Sequence, residues 1–360
     1  MNTNTLLHKA VIAMKELIND YTYKLDVRQN PTDFSRKGKI GFVNLILMTL
    51  NYCSKSMQIE INNFFELIDN IEDTVTRPGY LEARSKLKPE AFSKLLDQTI
   101  EIAARNHTTL ETLNGYRVFA IDGSKLTLED TISLRAQFGV SGGEHGVAAA
   151  RLSTLTDVLN SGIIMDAQLS KYEIGERALA LRHHERLSRL GISEESIIIY
   201  DRGYISADMV SDLNSKKIKY IFRIPKGWNK DIDQLNDGTD TILNIDPKGV
   251  PLSVRAVKFL LDSGELETLL ISPELEQGIF SFYEMKRIYF LRWGIESNYR
   301  VLKSELQIEN FTGPTDLFIK QDFYATALLL NLTAFAKLES DKIVSERTAL
   351  KKTSTNKKQI

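Results

Sequence analysis

Three acidic residues of this sequence have the chemistry and the positions expected of a divalent-metal site. Asp122 ends the apolar stretch RVFAID, Asp201 ends the apolar stretch SIIIYD, and Glu296 lies within YFLRWGIESNYRVLK. Carboxylate oxygens are preferred ligands of Mg²⁺, which keeps other positions for waters or substrate phosphates. Two such ions about 4 Å apart can stabilise both the attacking and the leaving oxygen of a phosphoryl transfer. The three residues therefore predict metal-dependent phosphoryl chemistry.

The segment around Glu296 carries further polar groups on one face of a helix predicted from Tyr289 to Lys303. At about 100° per residue, Tyr289, Arg292, Glu296 and Lys303 share an arc of about 60°. Arg and Lys can donate hydrogen bonds to phosphate oxygens, and a tyrosine can donate one or stack on a base. The apolar residues of this helix form a separate stripe suited to packing on a core: Ile288, Leu291, Ile295 and Leu302.

Each acidic residue also has a purely structural interpretation. Asp122 is followed by Gly123 and Ser124, a combination typical of turns. Asp201 could cap the next helix, and Glu296 could pair with neighbouring arginines at helical spacing. Their joint occurrence, each in the expected element and in this order, favours one shared site.

The elements that would position the two aspartates are strands of an α/β sheet. The sequence predicts strands at 117–122, 147–159, 162–169 and 196–201, with Asn160-Ser161-Gly162 joining the second and third as a hairpin. A helix that Gly191 ends precedes the fourth strand. Open α/β sheets bind ligands beyond the carboxyl ends of central strands, so both aspartates are expected at one edge.

The rest of the chain is predicted from its composition and its pattern of apolar residues. We expect helices over residues 1–110, a mobile loop over 130–146, a β-rich insertion over 219–278 that does not continue the sheet, an apolar helix over 316–338 and a disordered basic tail over 341–360. Two basic clusters in the helical region are either solvated helix faces or phosphate-binding surfaces: Ser35, Arg36, Lys37 and Lys39, and Arg84, Lys86 and Lys88.

Composition limits the classes of protein to which the chain can belong. Hydrophobic residues make up 42% and charged residues 26%, which is ordinary for a chain that buries a core. The net charge of −1 does not by itself indicate nucleic-acid binding, so any basic surface must be local. Cys53 is the single cysteine, which excludes an internal disulfide and favours a reducing compartment. We expect neither a signal peptide nor a membrane span.

Other catalytic motifs are not supported. The sequence has no GxxxxGK loop, no GxGxxG after a strand and no cysteine cluster for zinc. His183 and His184 are adjacent, a poor spacing for shared metal coordination. Ser124 has no evident base partner, so a serine nucleophile is not indicated.

The pattern Tyr-x2-Arg-x3-Glu-x6-Lys, formed here by Tyr289, Arg292, Glu296 and Lys303, resembles the signature of DDE transposases of bacterial insertion sequences, of the insertion sequence four family. IDGSKL around Asp122 and YDRGY around Asp201 are similar to that family's two catalytic aspartate segments. SRKGKIGF and KLKPEAF also look like its helical leader.

The resemblance implies a ribonuclease H-like catalytic core with a β-rich insertion, preceded by an all-helical N-terminal region of about 110 residues that binds DNA. It implies that Asp122, Asp201 and Glu296 hold two Mg²⁺ ions, with Mn²⁺ as a substitute. It also implies that the remaining signature residues bind DNA phosphates. The partners would be terminal inverted repeats and target DNA, bound by a homodimer that acts at the nucleoid in the cytoplasm.

Two other functions remain open at this point. One is a transposase-derived DNA-binding protein without catalysis, against which the three carboxylates argue. The other is a metal-dependent phosphohydrolase of small substrates, which does not account for Arg292 and Lys303 lying in line with Glu296.

Overall fold

The computed structural model describes residues 5–36, 38–51, 56–70, 72, 74–249, 251–261, 263–292 and 311–356. Their contacts divide the chain into two compact units. The first comprises the described residues of Met1–Asn106, Thr127–Gln137 and Arg300–Ile360, and the second those of His107–Leu126 and Phe138–Tyr299. Across these described ranges, every helix is too short or too polar to cross a membrane.

The first unit is built from packed helices. They are α1 Leu6–Asn19, α2 Tyr21–Val27, α3 Phe42–Leu50, α4 Met57–Leu67, α5 Arg77–Ser85, α6 Glu90–Arg105 and, near the end of the chain, α12 Asp316–Asn356. α6, which follows Pro89, packs against α1 and α12. Inside that packing, Asn331 donates its side-chain amide to the Thr99 hydroxyl at 2.9 Å.

The second unit contains one mixed sheet. Its described strands are β1 Arg117–Thr127, β2 Val140–Ser141, β3 Val147–Asp157, β4 Ile163–Lys171, β5 Ser196–Tyr200, β6 Lys219–Arg223, β7 Asp240–Ile245, β8 Leu252–Leu260 and β9 Leu266–Ile271. The order is β2-β3-β1-β5-β6-β9-β8-β7, with β4 paired to β3. β1, β5 and β6 run parallel, and β3 and β4 form the predicted antiparallel hairpin.

Helices cover both faces of the central strands. α8 Glu176–Leu190, which Gly191 ends at φ 72° as predicted, packs against β3 and β4, and α9 Ala207–Ser215 packs against β6. On the other face, α11 Phe282–Phe290 shares a buried cluster with Ile197 and Ile199 of β5. β5 is therefore buried on both sides, as its nearly all-apolar sequence predicts. Two short helices remain: α7 Ile132–Phe138, which belongs to the first unit except for Phe138, and α10 Lys230–Asp233 in the second unit.

Several predictions about the second unit are wrong. Gly123 and Ser124 are not a turn but part of β1, which stays extended beside the equally long β3. Residues 130–146 are not an unstructured loop, because Leu134 and Phe138 are buried and α7 forms around them. The strands after residue 219 continue the sheet instead of standing apart, since β6 pairs with β5 and β9 pairs with β6.

The two C-terminal helices also differ from prediction. α11 ends at Phe290, and Leu291 and Arg292 lie in a turn, whereas the prediction had one helix continuing through them. Residues 293–303 of the predicted helix lie outside the described residues. The segment 341–356, expected to be disordered, continues α12. It has no Gly or Pro, the two residues that most strongly interrupt a helix.

Candidate active site

The register of three parallel strands brings Asp122, Asp201 and Arg223 into one row. β1 pairs with β5 through Ala120 opposite Ile199, and β5 pairs with β6 through Tyr200 opposite Phe222. Continuing each register puts Asp122 beside Asp201, and Asp201 beside Arg223. Neighbouring strands lie about 4.8 Å apart at the last paired positions, so the two aspartates follow at the same edge of the sheet. They are close enough for the charge of Asp201 to raise the pKa of Asp122. The predicted convergence of the aspartates is therefore present in the structure.

Strand alternation fixes which face of the sheet these side chains occupy. Side chains two residues apart lie on the same face, and Val118 and Ile199 belong to the cluster packed under α11. Asp122 and Asp201 follow at even spacing and so face the α11 side. Tyr289 and Arg292, at the end of α11, lie on that side as well.

The Asp122 carboxyl is a weaker acid than an ordinary aspartate. Burial raises its pKa to about 6, although the Gly123 N–H, which donates to Oδ1 at 2.8 Å, and the Arg292 guanidinium both oppose the rise. The negative charges of Glu176 and Asp201 raise it further. A carboxyl near two other carboxylates binds a cation readily, because the cation removes their mutual repulsion.

Asp201 has a buried oxygen facing Arg223. Its Oδ1 lies 3.9 Å from an Arg223 guanidinium nitrogen and accepts no hydrogen bond from any described residue. Arg223 is held in turn by Glu267, which is 2% exposed and accepts two hydrogen bonds from it. Arg202 also donates to Glu267. The arginine is thus fixed beside Asp201 by a buried anion.

Two of the predicted phosphate ligands are more buried than expected. Arg292 is 6% exposed and lies close enough to Asp122 to lower its pKa. Tyr289 is 3% exposed inside the α11 cluster, and burial raises its pKa. The expectation that its ring stacks on a base is wrong for this conformation, because the ring packs in the core. Its hydroxyl, near Arg292 and Asp201, remains a candidate donor.

Glu296 and Lys303 lie outside the described residues, as do Ile295 and Leu302 of the predicted apolar stripe. Within the described residues, no group of three His, Cys, Asp or Glu side chains is arranged to hold a metal ion. The described part of the candidate metal site is therefore the Asp122–Asp201 pair.

Sequence reasoning did not find Glu176, which lies in the first turn of α8 and 3.1 Å from Arg151. A Cβ on Gly123 would come within 2.8 Å of the Glu176 side chain, so glycine permits the close approach of α8 to β1. Arg223 and Glu267 were also missed. The only available signal was a charged residue ending the apolar run YIF, which is too common to be informative.

The two basic clusters of the first unit have different environments. Arg84 is fully buried and donates to Gln321, Thr312 and Asp322, so its role is structural. Lys86, in contrast, lines an open cleft of about 520 Å³ together with three other cations, Lys24, Arg36 and Lys39. Glu82, also in the cleft, pairs with Lys86 at 3.0 Å. Lys37 lies outside the described residues.

Comparison with known proteins adds two findings. Residues 113–332 match the family model described as the transposase DDE domain. A solved structure of piggyBac transposase in a synaptic complex with hairpin DNA is similar in fold, with a TM-score of 0.55 and 11% sequence identity over 93% of this chain and 76% of that chain. No curated protein matches this sequence.

Proposed function

This chain belongs to the family of proteins with a transposase DDE domain, and from that premise we propose that it is a cut-and-paste DNA transposase of the insertion sequence four type. It would bind terminal inverted repeats, hydrolyse the phosphodiester bonds at the element ends, and join the freed 3′-hydroxyls to target DNA. The observation that carries the proposal is the parallel β1–β5 register, from Arg117–Ser196 to Ala120–Ile199, whose continuation leads to Asp122 and Asp201. The signature residues Tyr289, Arg292, Glu296 and Lys303 give it further support.

The acidic residues suit a divalent cation. The buried Oδ1 of Asp201 accepts no hydrogen bond from the described residues, and the Asp122 carboxyl is buried near other anions. An oxygen ligand set of this kind fits Mg²⁺ or Mn²⁺. Asp122, Asp201 and Glu296 would hold two such ions, which would stabilise the charge that develops on the attacking and leaving oxygens.

The cationic residues would position the DNA strand. Arg292 can donate two parallel hydrogen bonds to a phosphate, and Lys303 can add a point charge. Tyr289 would donate from its hydroxyl. Because Arg292 also lies near Asp122, it would hold the phosphate close to the carboxylate pair.

The core fold, the DNA-binding region and the oligomeric state are inferred from the same premise. The strand order β4-β3-β1-β5-β6 supports a ribonuclease H-like core, with the β-rich segment after β6, whose strands β7 to β9 extend the same sheet, as the insertion. The region 1–110 would bind DNA through its basic cleft. Since the similar piggyBac structure is a synaptic complex with hairpin DNA, we infer that this chain also pairs two DNA ends, as a homodimer. Its substrate implies action at the nucleoid in the bacterial cytoplasm.

The decisive experiment is cleavage of a cognate inverted repeat in Mg²⁺ by wild type and by Asp122→Ala. We expect the variant to bind the repeat normally and to lose cleavage, because the carboxylate pair is broken. Asp208→Ala, an exposed acidic residue of α9, is the matched control and should cleave like wild type. Continued cleavage by Asp122→Ala would overturn the proposal. Wild-type protein that binds the repeat but never nicks it in Mg²⁺ or Mn²⁺ would favour a catalytically silent DNA-binding protein.

A further inference from the structure

Two adjacent histidines of α8 are fully buried and have no role in the proposed chemistry. His183 and His184 are each 0% exposed. A buried imidazole is costly unless both ring nitrogens are satisfied. Each histidine meets this requirement with an acidic residue on one side and a hydroxyl on the other, and each hydroxyl lies next to one of the two aspartates.

The first chain of contacts ends on the backbone of Asp122. His183 Nδ1 lies 2.7 Å from Asp166 Oδ2, and His183 Nε2 lies 2.9 Å from Ser153 Oγ. The Ser153 hydroxyl donates to the Asp122 carbonyl at 3.2 Å. A hydroxyl has one hydrogen, so once it donates to the carbonyl it must accept from His183.

The second chain ends one residue before Asp201. His184 Nδ1 lies 2.7 Å from Asp212 Oδ2, and His184 Nε2 lies 2.5 Å from the Tyr200 hydroxyl. The Asp212 carboxylate can only accept, so Nδ1 carries the hydrogen and Nε2 is left to accept from the Tyr200 hydroxyl. The Tyr200 ring also stacks on Phe222 at 4.4 Å. The last residue of β5 is therefore fixed through both its ring and its hydroxyl.

These contacts lie just beyond the last paired residues of β1 and β5. The pairing of β1 with β5 runs from Arg117 to Ala120, two residues short of Asp122. Beyond Ala120 the separation of the two carboxylates depends on other contacts. The hydroxyls of Ser153 in β3 and Tyr200 in β5 provide such contacts, because each lies within hydrogen-bond distance of a histidine of α8.

We propose that α8, through His183–Ser153 and His184–Tyr200, sets the spacing of Asp122 and Asp201 and thereby their affinity for a divalent cation. The four residues are positioning residues, because none of them is placed to touch the cation or DNA. The inference rests on the proposed function for its meaning, but its test does not require DNA. Contacts that orient metal ligands in this way typically change metal affinity by about 10- to 100-fold when removed.

The test measures Mn²⁺ binding to the full chain by electron paramagnetic resonance, together with the melting temperature. Ser153→Ala and Tyr200→Phe each remove one hydroxyl. We expect each to weaken Mn²⁺ binding by about 10-fold or more. In cleavage assays, excess Mn²⁺ should restore much of the lost rate, while the KM for DNA stays unchanged.

Ser196→Ala is the matched control. Ser196 is also fully buried and also donates to a backbone carbonyl, that of Ile192 at 2.6 Å, but at the opposite end of β5. The Ser196→Ala variant should lower the melting temperature about as much as the two test variants do, without changing Mn²⁺ affinity. Wild-type affinity in either Ser153→Ala or Tyr200→Phe, or an equal loss in Ser196→Ala, would overturn the inference. If wild type binds Mn²⁺ but does not cut DNA, the proposed function fails and the Mn²⁺ comparison still decides the inference.

Discussion

At the scale of single residues, the properties of Asp122 result from a conflict between burial and charge. A carboxyl in a partly dehydrated position with acidic neighbours favours its neutral form, and its pKa of about 6 expresses that cost. The unfolded chain has no such cost, since its carboxyl titrates near 3.8. Above pH 6 the folded state therefore holds an unfavourable charge in the absence of a cation.

Asp122→Asn should for this reason stabilise the metal-free protein at neutral pH. A shift from 3.8 to about 6 corresponds to about 2–3 kcal/mol, present in full above the folded-state pKa. Asparagine keeps an oxygen that can accept from the Gly123 N–H. Because the folded-state pKa is raised, the gain should shrink as the pH falls from 6 to 4, where the wild-type carboxyl is protonated in the folded state.

The measurement is thermal or urea unfolding in a chelator at several pH values between 4 and 8. Asp208→Asn, an exposed carboxyl in the same unit, should show little effect at any pH. A destabilised Asp122→Asn at pH 8 would show that the buried charge is compensated within the protein. Adding Mg²⁺ should make wild type more stable than Asp122→Asn, because only wild type gains stability from bound cation.

At the scale of elements, the limit of sequence reasoning is strand register. The hairpin of β3 and β4, the helix that ends at Gly191 and the buried β5 were all predictable, because each depends on a local pattern. Asp122 and Asp201 are separated by the same number of residues as the paired positions Arg117 and Ser196. The equal separation is informative only if β1 and β5 are known to be neighbours in the sheet. That pairing joins segments far apart in the sequence, so no local pattern predicts it.

The same limit explains which site residues were missed. Arg223 joins the row because β6 pairs in parallel with β5, and Glu267 reaches it only because β9 lies antiparallel to β6. Tyr289 and Arg292 were predicted as site residues from their helical spacing, but their burial was not predicted. Helical spacing alone does not show that α11 ends at Phe290. Residue types were thus predictable where a motif carried them, and contacts across the sheet were not.

A buried ion pair secures the start of β1 to the end of β3. Arg117 and Asp157 are both fully buried, and the two nitrogens of Arg117 lie 2.8 and 3.2 Å from Asp157 Oδ2. Asp157→Ala should destabilise the protein by about 3–5 kcal/mol, because it leaves the Arg117 charge unpaired in the core. Removing the charge from both sides, in Arg117→Met with Asp157→Asn, should recover much of that loss.

Urea unfolding midpoints provide the test of this pair. Lys217→Ala removes an exposed pair with Glu194 in the same unit and should leave the midpoint almost unchanged, because solvent screens such a pair. The asparagine in the double variant can still accept from the backbone N–H groups of Leu159 and Asn160. A double variant that is no more stable than Asp157→Ala would show that the lost hydrogen bonds, and not the unpaired charge, dominate.

At the scale of the whole molecule, a net charge of −1 coexists with a locally basic surface. Lys24, Arg36 and Lys39 line one cleft of the first unit, and none of them forms an ion pair with another described residue. Gly41 begins α3 at the same cleft without a side-chain cap, which adds backbone N–H groups that favour anions. This local positive charge is therefore sufficient to bind the phosphate backbone of DNA. Acidic residues elsewhere in the molecule keep the net charge near zero.

Replacing Arg36 and Lys39 together by alanine should weaken DNA binding uniformly across sequences, because phosphate contacts position DNA without reading bases. Each lost contact should reduce the slope of log affinity against log salt by about 0.9. Fluorescence anisotropy at several salt concentrations measures both quantities, with Lys15→Ala, an exposed cation of α1 outside the cleft, as the control. If the double variant kept the wild-type slope, the cleft would not be a phosphate-binding surface. If it lost affinity only for the inverted repeat, these cations would read bases instead of neutralising phosphates.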